Sequence, residues 1–341
     1  MLGMHTACSQ QVYENKDVDA FGKLTEDPAV TLLDVRTASE YAEGHIEGAL
    51  NIDVKGNDFS ERARQVLDTD RTIAVYCRSG RRSAKAAGIL ADAGFKVVNL
   101  DGGIMAWQKA KKPVTTDTHE VDVFRTKSGK LLKFYALMHA SIRMVYDGTE
   151  IEIDPVTQLG PRRTDYTAVP RANFIFVTHE HADHFDKEAI GLLADDATKL
   201  VLNRRCADML GKGVAMANGE HLDLGHGITV DAVPAYNTTE GHLQFHPKGR
   251  DNGYVLTVDG LRIYIAGDTE DVPEMAGLKD IDIAFLPCNQ PYTMTPDQLL
   301  KAARVVKPRV LFPYHYGKTD VTAIPSLLKP DNIEVRIRHY E

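Results

Sequence analysis

The chain has 341 residues, of which 43% are hydrophobic and 26% are charged, and its formal net charge is -8 at pH 7. This length and composition are typical of a globular protein with two domains, and the negative charge argues against nucleic acid or an anionic membrane surface as a partner. No apolar run reaches the roughly 18 residues that a membrane span requires. The four cysteines lack the CxxC spacing, so the sequence indicates neither a zinc knuckle nor a disulfide framework.

The residues before Cys8 allow two interpretations. They are small, as at the end of a bacterial lipoprotein signal, but the apolar region that should precede them is missing. We therefore expect an ordinary start to a cytoplasmic protein. The alternative, a periplasmic lipoprotein anchored through Cys8, applies if an upstream signal is missing from the sequence.

Short β-rich runs alternate with helix-like stretches in the first third of the chain. The runs are Thr31–Val35, Thr72–Tyr76 and Lys96–Asn99, and the clearest helical stretch is Ser83–Ala93. This alternation predicts an α/β domain in which helices flank a parallel sheet.

A change in composition marks the boundary between the two domains. The segment Lys109–Thr118 is charged and polar, and Pro113 interrupts it, as is typical of a linker. We place the N-terminal domain at residues 11–113, the linker at 114–119 and the C-terminal domain at 120–341.

Cys77 begins a short loop between a predicted strand and a predicted helix, the position at which a parallel sheet presents its ligands. The rest of the loop consists of Arg78, Ser79, Gly80, Arg81 and Arg82. Backbone amides, the helix N-terminus and the three arginines all favour the thiolate over the thiol. The pattern therefore predicts a nucleophilic cysteine, whereas most cysteines are small buried apolar residues.

Residues 17–113 resemble the rhodanese family. The resemblance is carried by Leu33–Arg36, Gly44–Ala49, the loop at Cys77, Leu100–Gly103 and Trp107. It implies that Cys77 takes a sulfane sulfur from a donor as a persulfide, held by the amides of the loop, and passes it to an acceptor. The six-residue loop resembles the sulfur-transferring form, whereas related phosphatases have a longer one. Asp34 and Arg36 are expected to form a buried structural pair.

The second half of the chain contains many strands close together and few helices. The predicted strands are Leu131–Leu137, Ile142–Asp147, Ile151–Asp154, Asn173–Thr178, Ile228–Pro234, Tyr254–Val258, Arg262–Ala266 and Ile281–Leu286. Helices are predicted at Lys187–Ala194 and Pro296–Val306. A sandwich of two mixed sheets with helices outside accommodates this pattern.

Four candidate metal ligands follow one hydrophobic strand. They are His179, His181, Asp183 and His184. Burying such groups without partners would cost several kcal/mol, so core packing does not explain them. Imidazole and carboxylate together suit zinc, iron, manganese or copper, and the spacing lets one pair of side chains face a first ion and the other pair a second.

Two more candidate ligands occupy strand ends further along the chain. Asp268 follows the strand Arg262–Ile265, where its carboxylate can bridge two ions, and His315 follows Val310–Phe312. Together with the preceding histidine cluster, these residues predict a metal centre rather than isolated polar positions.

Residues 120–341 resemble the metallo-β-lactamase superfamily, with its αββα sandwich, and within it the branch of ascorbate-6-phosphate lactonase and N-acyl-phosphatidylethanolamine phospholipase D. The resemblance implies one or two transition-metal ions, with zinc favoured and manganese or iron as alternatives. Its implied ligands are His179 and His181 in site one, Asp183, His184 and His315 in site two, and Asp268 in both. It further implies that Asp183 orients the attacking water. His139 matches a motif near the mouth of the site, as an extra ligand, a substrate contact or a structural histidine.

The sequence departs from the superfamily at Asn237, where a third site-one histidine is usual. Three outcomes stay open: a weak or water-completed site, a ligand from His246, or a ligand from His242. The same segment carries Lys248 and Arg250, which are candidates for holding an anionic substrate group.

These patterns predict an enzyme that joins sulfane-sulfur transfer at Cys77 to metal-dependent hydrolysis of an ester, lactone or phosphodiester-type small molecule. The first alternative is an iron-dependent persulfide dioxygenase, since rhodanese domains occur joined to such enzymes. The second is a sulfur-carrier or binding module whose metal domain is catalytically idle. No feature of the sequence indicates an oligomeric state.

Overall fold

The computed structural model describes residues 13–340 apart from 28, 68 and 117, so Cys8 lies outside the described residues. The chain forms two compact units that divide between Asp122 and Val123. Thr115, in the predicted linker, forms a β-bridge with His45 of the N-terminal unit. None of the described helices combines the length and apolar character that a bilayer crossing needs.

The N-terminal unit is built on a parallel sheet of five strands in the order β1-β5-β4-β2-β3. The strands are β1 (Glu14–Lys16), β2 (Val30–Asp34), β3 (Leu50–Asn51), β4 (Thr72–Tyr76) and β5 (Lys96–Leu100). The helices are α1 (Val18–Thr25), α2 (Ala38–Ala42), α3 (Phe59–Val66), α4 (Arg81–Asp92) and α5 (Gly103–Lys109). The parallel sheet with flanking helices predicted from the sequence is confirmed.

Helices cover both faces of this sheet. Successive side chains of a strand point to opposite faces, so alternate residues of β4 enter separate hydrophobic clusters. Ile73 and Val75 pack in the cluster that contains α3 and α4, whereas Ala74 and Tyr76 pack with α1 and α5. Burial on both faces is typical of parallel sheets.

The C-terminal unit contains two mixed sheets of seven strands, in the orders β14-β13-β12-β9-β8-β7-β6 and β15-β16-β17-β18-β19-β20-β21. The first sheet is formed by β6 (Glu120–Arg125), β7 (Leu131–Met138), β8 (Ser141–Tyr146), β9 (Thr149–Ile153), β12 (Phe174–Val177), β13 (Lys199–Asn203) and β14 (Val214–Met216), and a separate hairpin by β10 (Gln158–Leu159) and β11 (Arg162–Arg163). The second is formed by β15 (His221–Gly225), β16 (Ile228–Ala235), β17 (Asp251–Val258), β18 (Leu261–Ile265), β19 (Ile283–Pro287), β20 (Val310–Tyr314) and β21 (Glu334–Val335).

Helices and short 3-10 turns connect these strands. The helices are α6 (Lys187–Leu193), α7 (Arg204–Leu210), α8 (Pro296–Val306) and α9 (Ile324–Leu328), and the 3-10 turns are Tyr166–Ala168, Pro273–Gly277 and Lys329–Asp331. Helix α8 begins with a capping box in which Thr295 and Gln298 bond each other's backbone amides.

The main core of this unit lies between its two sheets. Phe134 of the first sheet contacts Phe285 of the second, with ring centroids 5.6 Å apart, and Phe176 contacts Tyr254 at the same separation. A second cluster lies on the other face of the second sheet and includes Leu299 and Ala303 of α8. This is the two-sheet sandwich that the strand pattern predicted.

Candidate metal centre

Parallel strands deliver the candidate ligands to one region of each sheet. In the second sheet, β18, β19 and β20 are parallel neighbours, and Asp268 and His315 lie just beyond the carboxyl ends of β18 and β20. In the first sheet, β9 and β12 are parallel neighbours, followed by Asp154 and His179. Side chains at the carboxyl ends of parallel strands meet at one edge of a sheet, the usual place for a ligand site.

The first group of candidate ligands, called cluster one here, consists of His179, His181, His246 and Asp268, whose ligand atoms all lie within 4.8 Å of one another. Nδ1 of His181 is 3.1 Å from Nε2 of His179 and 3.2 Å from Nε2 of His246. Nε2 of His246 is also 3.3 Å from Oδ2 of Asp268. Three imidazoles and a carboxylate therefore converge on one point.

Cluster two consists of His139, Asp183, His184 and His315, with ligand atoms again within 4.8 Å of one another. Nε2 of His139 is 3.2 Å from Oδ2 of Asp183. Asp268 contacts this cluster as well, because its Oδ1 is 3.2 Å from Nε2 of His184 and its Oδ2 is 3.3 Å from Nε2 of His315. The carboxylate of Asp268 thus lies between the two clusters.

Unsatisfied buried atoms show that the donor set fits a cation. Within the described part of the chain, Nε2 of His184, Oδ1 of Asp268 and both ring nitrogens of His315 are buried, and their short approaches to neighbouring polar atoms lack hydrogen-bond geometry. Leaving such atoms unpaired is costly and rare. Nitrogen and carboxylate donors in groups of four suit zinc, manganese or iron.

The two clusters differ in their effect on histidine charge. In cluster one, burial lowers the pKa of His179 and so disfavours the protonated ring. Burial also acts on His315, but the adjacent Asp268 and Asp183 carboxylates raise its pKa to about 9. The pKa of His184 is likewise raised against the effect of burial, by Asp268 and Asp154. A bound cation would supply the charge that these histidines otherwise take up as protons.

Asp154 contacts a candidate ligand, and the sequence analysis did not identify it. Its Oδ2 accepts from Nδ1 of His184 at 2.8 Å, so the opposite nitrogen of that ring faces cluster two. Thr178 holds the carboxylate in place through its amide, at 2.8 Å, and its hydroxyl, at 2.7 Å. A carboxylate behind a ligand histidine fixes its ring orientation and raises its basicity. The available signal was an aspartate directly after β9, the strand beside β12.

The structure places His246, rather than His242, in cluster one. Nδ1 of His242 is 3.4 Å from Oε1 of Glu270, outside both clusters. The amide of Asn237 is behind His246, where its Oδ1 is 2.7 Å from Nδ1 of that ring. The residue that replaces the usual histidine therefore contacts a candidate ligand.

Lys248 and Arg250, the two basic residues predicted as candidates for binding an anionic substrate group, are paired with carboxylates of the protein. Nζ of Lys248 is 2.7 Å from Oε1 of Glu274, and the guanidinium of Arg250 binds both oxygens of Asp251, at 2.7 and 2.8 Å. Their positive charge is largely neutralised within the protein, so this arrangement does not favour them as anion-binding groups.

Residues 77–80 of the cysteine loop lie between β4 and α4, whereas Arg81 and Arg82, which the sequence analysis assigned to the loop, form the start of α4. Cys77 is buried, and the hydroxyl of Ser83 donates to its Sγ at 3.3 Å. Arg78, Ser79 and Arg81 are exposed, and Gly80 precedes α4 with a φ of 89°.

Arg82 binds Glu40 through its two terminal guanidinium nitrogens, at 2.7 and 2.6 Å, and this contact lowers the pKa of Glu40 to about 2. Because its charge is paired with that of Glu40, we expect Arg82 to stabilise the loop rather than to bind an anionic sulfur.

Two further contacts brace the same unit. Asp34 and Arg36 form the expected buried ion pair, with Oδ2 and Nη2 2.6 Å apart. The start of α5 contacts the cysteine loop, because the Ile104 amide donates to Cys77 O at 2.8 Å. Gly103 makes this approach possible: its φ is 59°, and a Cβ there would lie 2.7 Å from the carbonyl oxygen of Arg78.

Family models match both units. The model of the rhodanese-like domain matches residues 17–110, and that of the beta-lactamase superfamily domain matches residues 133–315. The chain belongs to the beta-lactamase superfamily, and a rhodanese-like domain precedes the unit that contains the two clusters.

Individual relatives agree with this assignment. A UPF0173 metal-dependent hydrolase of Thermococcus kodakarensis is 29% identical over 195 residues, which cover 55% of this chain and 85% of that protein. A UPF0173 metal-dependent hydrolase of Ligilactobacillus salivarius is 31% identical, covering 52% of this chain and 82% of that protein. A crystal structure from Parabacteroides distasonis, described as that of a candidate metal-dependent hydrolase, is 49% identical with a TM-score of 0.63, covering 65% of this chain and all of that one. The lactonase and phospholipase branch suggested by the motifs stays a prediction.

Replacing Gly103 with alanine should destabilise the N-terminal unit, because the new Cβ would meet the carbonyl of Arg78 and the backbone would be held at positive φ. We expect a loss of about 1 to 3 kcal/mol in the free energy of unfolding. Trp107 is the only tryptophan in the chain, so its fluorescence during urea denaturation reports on this unit.

Gly88 in α4 is the matched control, since a Cβ there would meet nothing within 4 Å. Gly88→Ala should stabilise the unit by about 0.5 to 1 kcal/mol through helix propensity. Equal stability of the two variants would contradict the close approach at Gly103.

Proposed function

We propose that the C-terminal unit is a metal-dependent hydrolase with two transition-metal ions, zinc foremost and manganese or iron as alternatives. The observation that carries this proposal is the pair of four-residue clusters that share contacts with Asp268. Related proteins named as metal-dependent hydrolases add support. Bound divalent ions would polarise a carbonyl or phosphoryl oxygen and lower the pKa of water.

The proposed roles follow from position and exposure. Site one takes His179, His181 and His246, site two takes His139, Asp183, His184 and His315, and Asp268 bridges the two. The Asp183 side chain is 32% exposed, whereas that of Asp268 is 3% exposed. Asp183 is therefore the carboxylate that incoming water can reach, and we assign it the orientation of the attacking water. The ring of His139 is tilted by 43° against that of His315, with centroids 3.7 Å apart, and His139 is assigned as a further ligand.

The proposed substrate is a small ester, lactone or phosphodiester. A persulfide dioxygenase that uses a single iron would leave one of the two clusters without a role, so the hydrolase is preferred. An idle binding module would leave the buried, unsatisfied atoms of His184, Asp268 and His315 unexplained.

Asp268→Ala should remove both metals, because its carboxylate would be a ligand of each, whereas His315→Ala should remove one. We expect two metal equivalents in the native protein purified without chelator, measured by elemental analysis. His221→Ala is the control: this histidine is 58% exposed, belongs to neither cluster and should keep both metals.

Loss of the same single equivalent in the Asp268 and His315 variants would contradict a bridge. Oxygen uptake with glutathione persulfide by the iron-loaded protein, abolished by His179→Ala, would make the dioxygenase the better assignment. Native protein without metal, together with intact sulfur transfer, would favour the idle module.

The N-terminal unit is proposed to transfer sulfane sulfur through Cys77. With thiosulfate as donor, the thiolate attacks the outer sulfur, the sulfur–sulfur bond of thiosulfate breaks, and sulfite leaves with the electron pair. The loop between β4 and α4 supports this proposal, because its amides and the helix N-terminus favour an anionic sulfur.

Mass spectrometry after thiosulfate treatment should show one added sulfur, located on Cys77. Cys77→Ser should abolish transfer to cyanide, whereas Cys288→Ser should leave it unchanged, because burial raises the pKa of the Cys288 thiol to about 12 and keeps it unreactive. Full transfer by the Cys77 variant, or an adduct on Cys206 or Cys288, would show that the assignment is wrong.

A further inference from the structure

Asn237 and His246 form a buried pair at the edge of cluster one. Their side chains are buried, and the backbone N–H of Asn237 donates to the backbone carbonyl of His246 at 2.9 Å. Oδ1 of Asn237 is 2.7 Å from Nδ1 of His246. Backbone and side-chain bonds thus join the same two residues.

The orientation of the Asn237 amide follows from its neighbours. Its Nδ2 is 2.8 Å from the carbonyl oxygen of Tyr292, which can only accept a hydrogen bond. The atom facing that carbonyl must be the NH2 group, so Oδ1 faces His246. Nδ2 also donates to Oε1 of Glu270 at 3.1 Å, which holds the amide in the same orientation.

The protonation of the His246 ring follows in turn. Its Nδ1 faces two acceptors, Oδ1 of Asn237 at 2.7 Å and the Tyr292 carbonyl at 3.1 Å. Nδ1 must therefore carry a proton, and in the neutral ring Nε2 carries the lone pair. That Nε2 is the atom that lies 3.3 Å from Oδ2 of Asp268 in cluster one.

Glu270 anchors this arrangement from behind. Its side chain is fully buried, and its Oε2 accepts from the amides of Thr238, at 3.0 Å, and Thr239, at 2.8 Å. The hydroxyls of the same two threonines donate to this oxygen at 2.7 and 2.8 Å. With Oε2 fixed by these donors, Oε1 stays directed at Asn237.

We propose that Asn237 is a positioning residue that fixes the tautomer and ring orientation of His246 as a metal ligand of cluster one. The inference rests on the two-metal site proposed above. A hydrogen-bonded partner behind a ligand histidine raises its basicity, and removal of such a partner typically costs roughly 10- to 100-fold in metal affinity. The apparent loss of a ligand at Asn237 is thus a change of role, because His246 takes the place of the missing histidine.

The first test reads the tautomer directly. In zinc-loaded full-length protein with 15N-labelled histidine, long-range 1H–15N NMR should show the His246 proton on Nδ1 and zinc on Nε2, with the resonance assigned through His246→Gln. A proton on Nε2 would overturn the proposal. This measurement uses the native side chains at positions 237 and 270, so it does not depend on whether a variant at Asn237 folds.

The second test separates metal affinity from stability. Asn237→Leu removes the Oδ1 acceptor. In chelator competition, the affinity for one of the two zinc ions should fall by roughly 10- to 100-fold, and the affinity for the other should stay unchanged. Asn237→Asp keeps an oxygen facing Nδ1 of His246 but loses both Nδ2 bonds and places a carboxylate beside Glu270. The Asn237→Asp variant should therefore be no more stable than Asn237→Leu, and yet it should bind zinc more tightly than Asn237→Leu does. If Asn237 had only a structural role, the less stable of the two variants would also be the one that binds zinc more weakly.

Asn203→Leu is the matched control. Asn203 is a buried asparagine of the same unit whose Oδ1 accepts from the Cys206 amide at the start of α7, outside both clusters. This variant should lose stability while it keeps both zinc affinities. Native protein that binds no metal would overturn both the proposed function and this inference, whereas two bound metals with unchanged affinities in Asn237→Leu would overturn the inference alone.

Discussion

The position of the Asp268 carboxylate between two groups of histidines is the constraint on which the proposed metal centre depends. The carboxylate is almost fully buried, and it contacts candidate ligands of both clusters, His184 and His315 on one side and His246 on the other. A buried carboxylate without a compensating cation is costly by several kcal/mol, and unpaired imidazoles nearby add to that cost. The interior therefore tolerates these groups together only when positive charge lies between them, supplied by protons or by metal ions.

The two sheets bring these polar groups together at the ends of their strands. Three candidate ligands and one residue that supports a ligand follow largely buried strands: Asp154 after β9, His179 after β12, Asp268 after β18 and His315 after β20. The core between the sheets packs residues of these strands against one another and so positions the strand ends. Residues that orient ligands from behind tune the affinity of a site for its metal.

The sequence predicted what depends on local pattern. Hydrophobic runs reveal the strand ends at which the cysteine loop, the histidines after β12, Asp268 and His315 lie. The role of His246 was left open and Asp154 was missed, because both depend on how separate segments meet. The pairing of Arg82 with Glu40 and of Lys248 with Glu274 was also hidden, since each partner comes from a distant part of the chain. Strand β13 and helix α7 follow one another without a turn signal between them, and neither was predicted.

The position of the metals is the most direct test of this account. Crystals of the full chain grown with zinc, measured at the zinc absorption edge, should show two anomalous peaks. One should lie among His179, His181 and His246 and the other among His139, His184 and His315, with the Asp268 carboxylate between them. A single peak, or peaks away from these residues, would contradict the two-metal centre.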